Sequence, residues 1–151
     1  MPTHNELAAP CGLYCGVCGI LYAHRDQNIK FKEKLSSVYG VTPDQIRCQG
    51  CLSDDVFAYC QVCPIKSCNA SKGYGGCHQC GDFPCDLINN FPMPVGRKVI
   101  MRAVPYRREN GTEKWMEEEE KRYLCPYCGN KLFRGAKRCN KCGEAVNLDG
   151  V

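Results

Sequence analysis

The chain has 151 residues, a formal net charge of +4 and fifteen cysteines, about one residue in ten. Leu, Ile, Val and Phe supply only a fifth of it, at the border below which a chain struggles to bury a core. That balance excludes a large α/β enzyme, and with no run approaching 18 apolar residues it excludes a membrane-spanning helix. The opening MPTHNELAAP has neither a basic n-region nor an apolar h-region, so a cytoplasmic location is expected. Cytosolic thiols stay reduced, and dense cysteine in that setting reads as metal binding. The odd cysteine count also argues against a closed disulfide framework.

Six Cys-x-x-Cys pairs recur along the chain: Cys15/Cys18, Cys48/Cys51, Cys60/Cys63, Cys77/Cys80, Cys125/Cys128 and Cys139/Cys142. A two-residue spacer lets one tight turn present both thiolates to a single tetrahedral ion. At the N-terminal end, Cys11-x3-Cys15-x2-Cys18 has the spacing of the radical-SAM cluster motif. The 133 residues that follow are too few for the barrel which that chemistry needs. Next, Phe31, Leu35 and Val38 mark one helical face, and Gly40 is placed to close the helix. Thr42-Pro43-Asp44-Gln45 then has the form of a capping box with proline at its first position.

Cys60-x2-Cys63-x4-Cys68 is echoed seventeen residues later by Cys77-x2-Cys80-x4-Cys85, with different residues between the cysteines. The pattern is either a duplicated metal loop or a chance echo. Two partitions of the first block stand open. One joins Cys15/Cys18 to Cys48/Cys51 and draws a second site from Cys60, Cys63, Cys68, Cys77, Cys80 and Cys85. The other pairs Cys48/Cys51 with Cys60/Cys63 and leaves Cys68, Cys77, Cys80 and Cys85 together. Cys60, Cys63, Cys68 and Cys85 also have spacings that suit an iron–sulfur cluster. Cys11 is the best candidate for a free, buried thiol, and His24 and His78 are minor candidates for an additional ligand.

Beyond Cys85, 39 residues carry no cysteine. Val95, Val99 and Ile100 predict a helix opening after Pro94 and ended by Pro105. Asn110-Gly111-Thr112 predicts a turn with Thr112 as N-cap, followed by a charged helix over Glu113 to Tyr123. In that helix Glu117 faces Lys121, Glu118 faces Arg122, and Trp115, Met116 and Tyr123 form a narrow apolar stripe. The four consecutive glutamates read as a solvated face.

Cys125-Pro-Tyr-Cys128, ten residues that begin with Gly129, then Cys139-Asn-Lys-Cys142-Gly143 closes the series. Glycine after the second cysteine allows a positive φ that turns backbone N–H groups toward sulfur. The pair of knuckles reads as a zinc ribbon, its spacer a short hairpin, with Cys125, Cys128, Cys139 and Cys142 holding structural zinc. From Lys121 to Gly143 there are seven Lys/Arg and no acid, so Lys131, Arg134, Lys137 and Arg138 are candidate nucleic-acid contacts. Lysines beside zinc knuckles also compensate the negative charge of four thiolates.

CGLYCGVCG at residues 11–19, the Gly50-Cys51 pair and CHQCGDFPC at 77–85 together resemble a prokaryotic family of small cysteine-rich proteins, a domain of unknown function. The resemblance extends over about residues 9 to 143, including a Trp-containing acidic helix that leads into a terminal zinc ribbon. It implies a metal-binding protein and transfers no catalytic residue.

The expected fold is therefore a small metal-stabilised α+β protein: short helices and loops pinned by cysteine sites, plus a C-terminal zinc-ribbon β-hairpin. Its expected parts are a cysteine-rich domain over 9–92, a helical connector over 93–123 and a zinc ribbon over 124–147. The expected function is a non-enzymatic cytoplasmic protein with two to four zinc ions and a protein partner. The alternatives are a nucleic-acid-binding ribbon protein and an iron–sulfur redox protein.

Overall fold

The computed structural model describes residues 4–150. Eight α-helices are found among them, joined by three short 3-10 turns. These helices are α1 (His4–Leu7), α2 (Gly19–Arg25), α3 (Ile29–Tyr39), α4 (Ala58–Gln61), α5 (Pro64–Lys72), α6 (Asp86–Asn89), α7 (Pro94–Asn110) and α8 (Thr112–Arg122). Among the described residues there is no sheet, only isolated bridges at Ala8/Tyr14, Leu124/Lys131 and Arg138/Ala145. The fold is thus helical, which corrects the expected α+β class and its C-terminal β-hairpin.

The physical reason lies in the ten-residue spacer. Two of its backbone donors bond elsewhere, Arg134 N–H to Val17 O at 2.7 Å and Gly135 N–H to the Asp149 carboxylate at 2.9 Å, so pairing stops at the Leu124/Lys131 bridge that Leu132 N–H to Tyr123 O at 2.8 Å completes. No ladder forms because the donors that a hairpin would pair are committed to other parts of the molecule.

Local sequence sets most helix ends. Asn28 caps α3 by accepting from Phe31 N–H at 3.1 Å, and Gly40 ends it at φ 70°. The Gln45 side chain accepts from Thr42 N–H at 2.8 Å, as a capping box requires, although only a 3-10 turn, Pro43–Gln45, follows. Phe31 and Leu35 pack inward as expected, whereas Val38 is exposed and Tyr39 packs in its place. Cys68 sits within α5, while Cys85 precedes α6, so the two cysteine triplets are not structural duplicates.

Pro105 does not end α7, which runs on to Asn110. Its ring lies on the exposed face, where water can serve the Met101 carbonyl left unbonded, while Val104 and Arg107 are buried on the other face. Thr112 is the first residue of α8 and not its cap, and its hydroxyl accepts from Arg107 Nε at 2.9 Å.

Four apolar clusters replace a single core. Ile65, Ile88, Ile100 and Val104 surround Cys11, Cys51 and Cys77. Tyr14 and Val17 meet Trp115, Met116 and Tyr123, which joins the first cysteine loop to α8. Ile20, Ala23, Ile46 and Phe57 enclose Cys48. Leu132, Ala136 and Val146 cover Cys125 and Cys139. Each cluster contains or borders a thiol or an aromatic ring. The glutamate run is only partly solvated. Glu119 is buried and pairs with Arg102 at 2.5 Å, and Glu120 accepts from Tyr14 at 2.7 Å.

Candidate metal centre

The two C-terminal knuckles have the same backbone wiring. Cys125 N–H donates to Asn130 O at 2.8 Å and Gly129 N–H to Cys125 O at 2.9 Å. Cys139 N–H donates to Glu144 O at 2.9 Å and Gly143 N–H to Cys139 O at 3.0 Å. Gly129 and Gly143 take φ of 76° and 80°, the left-handed turn that each knuckle needs. Gly143→Ala is expected to cost about 1–2 kcal/mol, seen as an earlier urea midpoint of the metal-loaded protein.

This wiring brings the ligand atoms of Cys125, Cys128, Cys139 and Cys142 within 4.8 Å of one another. Cys125 Sγ lies 3.7 Å from Cys142 Sγ, and Cys128 Sγ 3.6 Å from Cys139 Sγ. Zinc–sulfur bonds of about 2.3 Å at tetrahedral angles require sulfurs about 3.8 Å apart. The observed gaps suit a metal ion held by four thiolates.

Donors converge on the sulfurs. Tyr127 N–H points at Cys125 Sγ from 3.4 Å, and Asn130 Nδ2 at Cys139 Sγ from 3.8 Å. The Cys142 and Lys141 N–H groups lie 3.5 and 3.4 Å from Cys139 Sγ, and Cys142 contributes most to lowering that thiol to about 6.

The first-block cysteines fall in two places. Cys68, Cys77, Cys80 and Cys85 all line one cavity. The thiols of Cys15, Cys18, Cys48, Cys51, Cys60 and Cys63 influence one another electrostatically, together with Cys11. Cys51 donates its N–H to Cys15 Sγ at 3.3 Å, and Gly50 N–H lies 3.3 Å from Cys48 Sγ. Burial pushes the Cys11, Cys51 and Cys60 thiols up to about 12, with neighbouring thiols adding to it. The proposed iron–sulfur quartet is divided between the two places, with Cys68 and Cys85 at the cavity and Cys60 and Cys63 in the other set. Among the described residues, no set but the C-terminal quartet brings three ligand atoms within 4.8 Å.

Neither histidine joins a sulfur set as a ligand in this geometry. His24 Nε2 lies 3.7 Å from the Asp55 carboxylate, and burial holds its pKa down. Burial, helped by Arg107 and Arg108, lowers His78 to about 4 and keeps it neutral.

The four basic candidates differ in placement. Arg134 turns inward and donates from Nη1 to Tyr14 O at 3.1 Å. Lys131 pairs with Glu120 at 3.0 Å and lies 5.6 Å from the Tyr22 ring centroid. Arg138 donates to Gly143 O at 2.5 Å, and Lys137 is exposed. Sequence reasoning missed Asn69, Lys72, Arg108 and Asn130 near the sulfurs. Helical spacing from Cys68 would have found the first two, which share its face of α5.

The sequence model of a family described as "Protein of unknown function (DUF3795)" matches residues 7–90, more than half of the chain. No curated protein and no solved structure matches the chain.

Proposed function

We propose, for a chain that belongs to this family of unknown function, a zinc-binding protein whose C-terminal centre is structural and whose surface engages a protein partner. The observation that carries the zinc reading is the quartet Cys125, Cys128, Cys139 and Cys142, with sulfurs 3.6 and 3.7 Å apart in pairs. Four thiolates close the coordination shell, so no position is left for a substrate or an activated water. That closure favours a non-enzymatic role for this centre. Reduced thiols in these numbers fit the cytoplasm, and no described helix is long and apolar enough to cross a membrane.

The partner reading rests on exposed apolar side chains. Tyr127, between Cys125 and Cys128, is 66% exposed, and Leu124 beside it is 41% exposed. A tyrosine held on a metal-stiffened turn is the kind of rigid aromatic anchor that protein interfaces favour. Nucleic-acid contact has less support, since Arg134 is turned inward and Lys131 and Arg138 have partners within the chain. A gel-shift series with single-stranded RNA and DNA is expected to show no salt-dependent complex. A complex at low salt that weakens steeply with added salt would reverse that ranking.

Elemental analysis with an absorption spectrum tests the metal. The expected sample is colourless, with two to four zinc ions per chain. A brown protein absorbing near 400 nm would replace this reading by iron–sulfur chemistry.

A further inference from the structure

The geometry points to a second thiolate metal centre, formed by Cys68, Cys77, Cys80 and Cys85, that holds one zinc-class ion. The inference rests on the zinc reading above and selects one of the two partitions that the spacing leaves open. Three elements converge on the site. Helix α5 lays Ile65, Cys68, Asn69 and Lys72 along one face. The 3-10 turn Cys77–Gln79 presents Cys77 and, at its end, Cys80, and Cys85 stands at the start of α6. All four cysteines line one cavity of about 20 Å³, room for a single water-sized occupant.

The polar side chains that line this cavity besides the thiols are Asn69 and Lys72, and Lys72 also lies 3.6 Å from the exposed Asp82 carboxylate. No carboxylate lines it, and its other walls include Ile65, Phe83, Leu87 and Ile88. Asn69, 3% exposed, donates to Ile65 O at 3.0 Å and to Cys77 Sγ at 3.3 Å. Lys72 Nζ lies 3.7 Å from Cys80 Sγ. A buried amide and an ammonium aimed at sulfur stabilise thiolates and thereby the anionic centre they would form. Arg108 fixes the turn from outside, donating to His78 O and Cys80 O, both at 2.9 Å, and Cys77 N–H donates to Pro10 O at 2.8 Å. The sulfurs stand wider apart than those of the C-terminal quartet. The four side chains must therefore turn toward the ion when it binds.

Zinc content of the full chain, measured on two double-serine variants, tests the proposal. Cys77→Ser with Cys80→Ser is expected to lose one zinc per chain, and to keep the cobalt–thiolate absorption of the C-terminal quartet when loaded with Co²⁺. Cys139→Ser with Cys142→Ser is expected to lose a different one, so the two losses add. If only the second pair loses zinc, the second centre is wrong and the zinc reading survives; if only the first does, the reverse holds. Should the Cys77/Cys80 variant fail to fold, Lys72→Gln in the Cys139/Cys142 double-serine chain decides. Competition against a chelator is expected to show zinc held about 10–100-fold more weakly there. An unchanged competition curve, or iron and sulfide recovered in place of zinc, overturns the proposal.

Discussion

Serine at both Cys139 and Cys142 is expected to unfold residues 124–148 while α7 and α8 stay protected, read by amide hydrogen exchange. The C-terminal segment has little else to hold it. Its own buried residues are Leu132, Ala136 and Val146 with the two thiols Cys125 and Cys139, and no ladder of strand hydrogen bonds supports them. Three small or medium apolar side chains bury too little surface to offset the entropy of ordering the segment. A thiolate zinc centre supplies folding free energy on the order of 10 kcal/mol, and removing two ligands forfeits most of it. Contacts with the first block then go as well: the Phe133 ring lies 4.9 Å from that of Phe31, and Arg134 no longer reaches Tyr14. Wild-type exchange protection over residues 124–148 in the variant would show that packing alone suffices.

Trp115→Ala is expected to destabilise the metal-loaded protein by about 3–5 kcal/mol, measured as a shift of the urea midpoint at unchanged metal content. Trp115 is fully buried and meets Tyr14 edge-on, with ring centroids 5.9 Å apart. The Arg107 guanidinium lies 4.5 Å over its ring while donating from Nη1 to Ala9 O at 3.0 Å. Truncation therefore leaves a cavity between the first cysteine loop and α8 and removes the stacking partner of a buried cation. Trp115→Phe is expected to cost distinctly less. The indole N–H has no partner among the described residues, so phenylalanine sacrifices volume and no hydrogen bond. Equal midpoints for Trp115→Ala and wild type would remove Trp115 from the account of how the two cysteine blocks are joined.

What could be read from the sequence was local. The quartet Cys125, Cys128, Cys139 and Cys142 was legible because a two-residue spacer and a following glycine determine a knuckle without help from the rest of the chain. The stop of α3 at Gly40 and the buried stripe of Trp115, Met116 and Tyr123 were legible for the same reason. What failed depended on distant partners. A run of glutamates gives no sign that Glu119 is buried against Arg102, and a basic stretch gives none that Arg134 turns inward. The expected hairpin was lost to Val17 and Asp149, which take the donors of Arg134 and Gly135 beyond the one bridge that forms. The sequence left open which first-block cysteines share a cavity, because that depends on where α5 and the Cys77–Gln79 turn meet.

A chain with so few large apolar residues needs another source of cohesion, and three of its four small clusters are packed around thiols, which points to the cysteines. Each proposed four-thiolate zinc centre would carry two net negative charges, so the two together would offset the formal charge of +4. The most direct measurement is refolding of the fully reduced, metal-stripped chain, followed by circular dichroism and amide exchange as Zn²⁺ is added. Helix signal and amide protection are predicted to return in proportion to bound zinc and to stay absent in excess chelator. Full recovery of both signals without metal would contradict the account.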